Sequence, residues 1–146
     1  MVTIRPYQET DEAGAIRLWQ KAFSKSPPTD PPTLDIHRKL AVQPDLFLVA
    51  EMNSEVIGTA MGGYDGHRGW VYYVAVRPDL SRQGLGRRLM TDLEERLRRL
   101  GCVKINLQVL ASNKAACMFY ERLGYGVEER VSMGKRLSPA PCRARR

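Results

Sequence analysis

Residues 80–90 read LSRQGLGRRLM, with Gly84 and Gly86 two apart, Arg82 before them, and Arg87 and Arg88 after them. An apolar helical pattern begins at the same place. A helix N-terminus carries partial positive charge and unsatisfied N–H groups, so acids belong there and arginines do not. Arginines at such an end make sense when a bound anion lies against the helix dipole. Gly84 and Gly86 would let the backbone approach a phosphate closely and turn its N–H groups toward it. The same residues also suit a solvated helix entered through a tight glycine turn, and spacing alone does not choose. The third glycine of a dinucleotide-binding turn is missing. No Gly-Lys-Ser/Thr follows, which excludes a Walker loop.

A second stretch, NKAACMFYERLGY at 113–125, sets Asn113, Ala116, Tyr120 and Gly124 at offsets of three, four and four. The last three share a helical face. A phenol with an ordinary pKa near 10 suits an acid that reprotonates a thiolate leaving group. The alternative for Tyr120 is a core aromatic.

These residues need elements to carry them. VTIRPY alternates as an edge strand, and residues 11–23 open with acids and repeat Ile16, Trp19 and Phe23 at helical spacing. SKSPPTDPPT, with four prolines, must be a loop, and LDIHRKL fits a short helix. LFLVAE, VIGTAMGGY and WVYYVAV read as a meander of three strands joined by MNSE and DGHRG. A long helix follows the glycine motif, with Leu85, Leu89, Leu93, Leu97 and Leu100 as its buried stripe and Gly101 as its stop. VKINLQV is a strand, residues 112–124 a capped helix, and YGVEERV and SMGKRL two closing strands. The fold class is therefore α/β (α+β). It is one domain over 1–137, with a mixed, largely antiparallel sheet of about seven strands and about four helices, parallel at the crossover between 70 and 109.

The whole chain has 146 residues, 43% of them apolar, enough for one real core. Its apolar runs are too short to span a bilayer, and its N-terminus shows no signal core. Cys102, Cys117 and Cys142 form no close pair and no zinc pattern, which fits a reducing cytoplasm. The net charge of +7 suggests an anionic partner. Part of it belongs to a basic tail at 138–146, expected to be disordered.

Together, VAVRPDLSRQGLGRRLM and ASNKAACMFYERLGY resemble the GNAT-type N-acetyltransferases, and AMGGYDGHRGWVYYVAV resembles their bacterial YpeA-type subgroup. The likeness spans about 46–137. It implies acetyl-CoA as co-substrate and direct attack by a primary amine in a ternary complex, with no metal. It implies that the backbone of Val74, Ala75 and Val76 lines pantetheine at a strand bulge, and that Arg82, Gln83, Gly84, Leu85, Gly86 and Arg87 wrap the pyrophosphate. Asn113 would meet the pantetheine arm, and Tyr120 would protonate the departing thiolate. The sheet would splay open between the strands near 74 and 107. Pairing as a homodimer also fits the family.

Two positions depart from the family pattern. Ser81 stands where Gln or Arg is usual, and Gln108 stands where the ribosomal-protein N-terminal acetyltransferases carry a Glu base. Glutamine takes no proton, so that subgroup's mechanism does not transfer. Candidates to deprotonate the amine are Glu51, Asp65, His67, Tyr72 and Tyr73, or a water chain. Alternation lets only one of Tyr72 and Tyr73 face the acceptor. A backbone N–H at the bulge, that of Val74, would hold the oxyanion. Asp30 and Asp35 could attract a cationic amine or serve as helix caps. The competing reading is a CoA-binding sensor or interaction module without turnover, which Ser81 and Gln108 leave open. Intact Asn113 and Tyr120 favour the enzyme. A nucleic-acid binder is disfavoured because CoA phosphates account for the arginines at 82–88.

Overall fold

The computed structural model describes residues 1–25, 27 and 30–139, so part of the proline-rich loop and most of the basic tail lie outside the described residues. The chain divides into two compact units, Met1–Leu107 and Gln108–Arg146. The first holds β1 (Thr3–Pro6), α1 (Glu12–Ala22), α2 (Pro32–Leu40), β2 (Phe47–Met52), β3 (Glu55–Tyr64), β4 (Gly69–Val76), α3 (Leu85–Arg99) and β5 (Ile105–Leu107). The second holds α4 (Lys114–Arg122).

The sheet runs β1-β2-β3-β4-β5 in space, antiparallel throughout except for β4 and β5, which pair in parallel across the α3 crossover. The expected mixed fold stands, but among the described residues the sheet has five strands. The two expected closing strands, YGVEERV and SMGKRL, are absent, and Val127, Val131 and Met133 are exposed. Alternation alone provides no neighbouring edge, and a strand without one leaves its backbone groups to water. β5 is also shorter than VKINLQV suggested.

Alternating strand residues feed two layers. On one face Phe47, Val49, Met61 and Ala75 pack with Trp19, Leu18 and Ala15 of α1 and Ile36 of α2. On the other, α3 buries Leu85, Leu89, Met90, Leu93 and Leu97. Leu100 breaks the predicted stripe: it lies past the last helical turn and is exposed. Glycines on β3 set how closely α3 approaches. A methyl group at Gly58 would come within 2.9 Å of Leu89 Cδ1, and one at Gly62 within 2.8 Å of Leu93 Cδ1. α3 ends as Gly101 promised. Gly101 takes φ +93, and the N–H groups of Gly101 and Cys102 return to the carbonyls of Arg98 and Leu97 at 3.0 and 3.1 Å.

The sheet's main irregularity lies between β3 and β4. Thr59 pairs with Ala75 and Met61 with Tyr72, so Ala60 opposes both Tyr73 and Val74. This is a bulge, and Tyr73 sits in the left-handed region at φ 51. The Thr59 hydroxyl, fully buried, donates to the Tyr73 carbonyl at 2.8 Å and accepts from Trp19 Nε1 at 2.8 Å. The Trp19 ring stacks on Tyr73 with centroids 4.1 Å apart.

Replacing Thr59 by Val keeps the shape and deletes that bridge, leaving an indole N–H and a carbonyl unpaired in the core. At about 1–3 kcal/mol per orphaned group, Thr59→Val should lower the unfolding free energy by roughly 2–6 kcal/mol in urea denaturation. Thr59→Ser, which keeps the hydroxyl, should lose much less. Equal losses in the two variants would show that the hydroxyl bridge does not hold the bulge.

Candidate functional site

Within the first unit, β4 leads directly into the glycine–arginine segment. β5 pairs with β4 only over Gly69–Val71. Beyond the bulge, Val74, Ala75 and Val76 keep β3 on one side and, among the described residues, have no strand on the other. Backbone polar groups on such an edge need partners, and an extended amide-bearing chain can supply them.

After Val76 the chain turns through a short 3-10 helix, Pro78–Leu80. Its base is pinned by Arg77, whose guanidinium meets Asp79 and Glu55 at 2.7 Å each. Arg82 (φ 65) and Gly84 (φ 84) both take left-handed conformations, which reverse the backbone into α3. Nothing lies within 4 Å of where a Gly84 side chain would begin. Gly84 is the N-cap of α3, without a side-chain cap, and the first turn holds no acid. Arg82, Gln83, Gly84 and Arg87 are exposed, whereas Leu85 is buried and anchors the turn to the core. An uncapped 15-residue helix with basic residues at its N-terminus is suited to an anion.

Beside the bulge, α2, β3 and β4 wall an open cavity of about 320 Å³. Its sides include Asp35, Lys39, Met61, Tyr72 and Tyr73. Alternation let only one of the two tyrosines face this side, but both border the cavity, because the extra residue at the bulge breaks the alternation. The Tyr73 hydroxyl donates to Asp35 Oδ2, which ties α2 to the bulge. Burial and then Asp35 push the Tyr73 phenol well above the ordinary tyrosine range. Burial, with Asp65 adding to it, also raises Tyr72.

The other base candidates have structural partners. Asp65 Oδ1 accepts from the N–H groups of His67 and Arg68, both at 2.7 Å, which closes the β3–β4 turn and lowers its pKa. Glu51 lies at the far end of β2 from Phe47, the residue that pairs with cavity-lining Met61. Arg5 Nη2 holds Glu51 at 2.7 Å. The same guanidinium grips Asp11 at 2.7 and 2.9 Å. Burial alone would raise Asp11, but Arg5 and the Gln8 N–H outweigh it and hold the carboxyl below its usual range.

In the second unit, Asn113 is the N-cap of α4, its side chain accepting from the Ala116 N–H at 3.1 Å. That cap occupies the amide oxygen and leaves the amide nitrogen as a donor. At the other end Gly124 (φ 98) terminates the helix, with the N–H groups of Gly124 and Tyr125 returning to Glu121 and Tyr120, both at 3.0 Å. The Tyr120 ring packs edge-on against Phe119 and Tyr125, with centroids at 4.9 and 5.8 Å. Burial pushes its phenol up to about 12. The structure thus gathers Val74–Val76 and residues 82–87 into one strand–loop–helix, sets Asn113 and Tyr120 on one helix, and joins Glu51 to Arg5. Gln108 pairs with Ser132. Lys39 and Thr59 carried no signal in the sequence, since each depends on contacts distant in the chain.

A raised phenol favours the protonated form in the folded state. Its contribution to stability is complete below the unfolded value near pH 10 and is lost as pH rises through about 12. Alkaline titration followed by phenolate absorbance should show a late-ionising class that loses one member in Tyr120→Phe. Loss of a phenol that ionises near pH 10 would contradict the burial of Tyr120.

The acetyltransferase (GNAT) family matches residues 13–125 of this chain. An acetyltransferase of Pectobacterium atrosepticum is 45% identical over 134 residues, covering 92% of this chain and 94% of that protein. The ribosomal-protein-S18-alanine N-acetyltransferase of Escherichia coli superposes with a TM-score of 0.71 at 29% identity, over 85% of this chain and 77% of that one. The structure of AAC(6′)-Iy in complex with a bisubstrate analogue, CoA-S-monomethyl-acetylneamine, gives 0.77 at 17% identity, over 94% and 99%, a likeness of fold. With the family match spanning most of the chain and a relative at 45% identity along nearly its whole length, the chain belongs to the GNAT family of acetyltransferases.

Proposed function

We propose that the β4 edge and the α3 N-terminus form the cofactor half of the active site, and that the cavity beside the bulge is the acceptor half. The chain is an acetyl-CoA-dependent N-acetyltransferase. The observation that carries the assignment of halves is the bulge at Tyr73. It begins a β4 edge that has no strand beside it among the described residues, on the way to α3, and it borders the cavity.

In this reading the backbone of Val74, Ala75 and Val76 pairs with the amides of pantetheine, as an added strand would. The N–H groups of Gln83–Arg87 and the α3 dipole hold the pyrophosphate, with Arg82 and Arg87 adding charge. This accounts for the basic cluster at 82–88 without nucleic acid. Asn113 donates to the pantetheine arm through the amide nitrogen that its cap leaves over.

An amine entering the cavity loses a proton to water and attacks the thioester carbonyl. A C–N bond forms, and the oxyanion is held by the Val74 N–H. Collapse breaks the C–S bond and expels the CoA thiolate, which takes the Tyr120 proton; the attacking nitrogen gives its remaining extra proton to water, and water returns a proton to Tyr120. Tyr120 is protonated throughout the neutral range and so has a proton to give, while burial makes it a weaker acid than a free phenol. Glu51 serves the Arg5–Asp11 cluster, not the amine.

Calorimetric titration should show acetyl-CoA binding that weakens with salt. Free-thiol release with a turned-over amine should fall by roughly 10²–10⁴ in Tyr120→Phe, with cofactor affinity little changed. Glu51→Gln should lose stability yet keep kcat within a few-fold. Failure to bind acetyl-CoA would sink the cofactor assignment, and a large kcat loss in Glu51→Gln would restore that residue as the base.

A further inference from the structure

We propose that the acceptor cavity selects amines that also carry a carboxylate, and that Lys39 receives that carboxylate. This rests on the reading of the cavity as the acceptor half. Asp35 and Lys39 are one helical turn apart on α2 and both border the cavity. Such a pair would ordinarily form an ion pair, but here each charge is disposed differently. Asp35 accepts from the Tyr73 hydroxyl and lies 3.5 Å from Arg38, and Arg38 in turn is held at 2.7 Å by Asp30.

Lys39 has no such neutralising partner. Among the described residues it forms no ion pair with a carboxylate. Its Nζ lies beside the backbone of β3, 3.7 Å from where a Gly63 side chain would begin, with the neutral Gln43 Oε1 3.8 Å from the same point. The amine is half-buried, and burial alone lowers its pKa, as expected of a cation with no counter-charge. The apolar Met61 and Val42 on the cavity wall reduce screening there and would strengthen attraction to an incoming anion.

The layout has a direction. The bulge lies opposite Ala60, and Gly63 is three residues further along β3. At about 3.4 Å per residue, the reacting amine and the group over Gly63 would be separated by roughly 10 Å along the strand, less the reach of the lysine. The acids on and beside α2 lie at Asp30 and Asp35, and the unneutralised cation at Lys39. That polarity suits an acceptor with its ammonium toward the bulge and a carboxylate several bonds away. An acidic residue following a peptide N-terminus has this form, as does the free carboxylate of an amino acid that reacts through its side-chain amine. A polyamine or a polycationic sugar would bring a like charge to Lys39.

The test compares kcat/KM for Ala-Glu, Ala-Gln and Ala-Lys dipeptide amides, for lysine against lysinamide, and for spermidine. The wild-type chain should prefer Ala-Glu over Ala-Gln by at least about tenfold, with the difference in KM. Lys39→Gln should abolish the preference, Lys39→Arg should retain it, and Lys39→Glu should turn it toward Ala-Lys. Preference for the cationic acceptors, no turnover of any acidic amine, or ratios unchanged in Lys39→Glu would each overturn the assignment. Acetyl-CoA binding by calorimetry separates the two levels. Binding with the wrong charge preference removes only the role of Lys39, whereas no binding removes the reading of the site beneath it.

Discussion

The hydroxyl of Thr59 joins the indole of Trp19 to the carbonyl of Tyr73, and the shape of the site follows from that bridge. A strand residue at positive φ is costly, of order 1–3 kcal/mol, and must be held by its surroundings. Here the holding is done from below. Thr59 captures the carbonyl that the broken ladder would leave bare, and Trp19 covers the ring of the displaced residue. The Tyr73 hydroxyl then reaches Asp35, so the same residue fixes α2 against the sheet. One extra residue in β4 thereby aligns both tyrosines with the cavity and precedes the edge at Val74–Val76 that, among the described residues, lacks a strand on its β5 side.

The glycines and arginines of residues 82–88 were legible because their requirement is local. A backbone that must reverse twice and leave its N–H groups open needs glycine and positive φ wherever the rest of the chain goes, and Gly84 and Arg82 meet that need within three residues. The same holds for the Asn113 cap and for the Gly101 and Gly124 stops, each decided inside one helical turn. The bulge was implied by the family resemblance alone, and the residues themselves hide it for the opposite reason. WVYYVAV gives no sign of an extra residue, since the bulge is imposed by Thr59, fourteen positions earlier, and by Trp19, forty before that. Lys39 was invisible for a like reason, as its isolation depends on where Asp30, Arg38 and Gly63 come to lie.

The opposite error occurred at residues 125–137. Their alternation is genuine, yet a strand is a property of a pair, and period two shows which residues would share a face without showing what edge they join. The surroundings of Glu51 were hidden in a related way, since a carboxylate at a strand end shows nothing in the sequence of what holds it. Arg5 and Asp11 lie 46 and 40 residues earlier in the sequence, and they place Glu51 in a charge cluster that fastens β1 to β2.

The two halves of the proposed site are built from different materials, and that difference determines how each can vary. The cofactor half relies on backbone groups of Val74–Val76 and of the α3 N-terminus, whose positions are set by φ values, by the bulge and by the buried Leu85. Side chains there can change while the N–H groups stay: Ser81 stands in place of the usual Gln or Arg, and Gly84 still opens α3 without a side-chain cap. The acceptor half relies on side chains of α2 and β4, and there a single substitution changes the charge an acceptor meets. Two members of the family can therefore share the cofactor half closely and differ completely in the amine they take. With the cavity as the proposed acceptor half, specificity in this chain is to be sought along the face of α2 that carries Asp35 and Lys39, both of which border it.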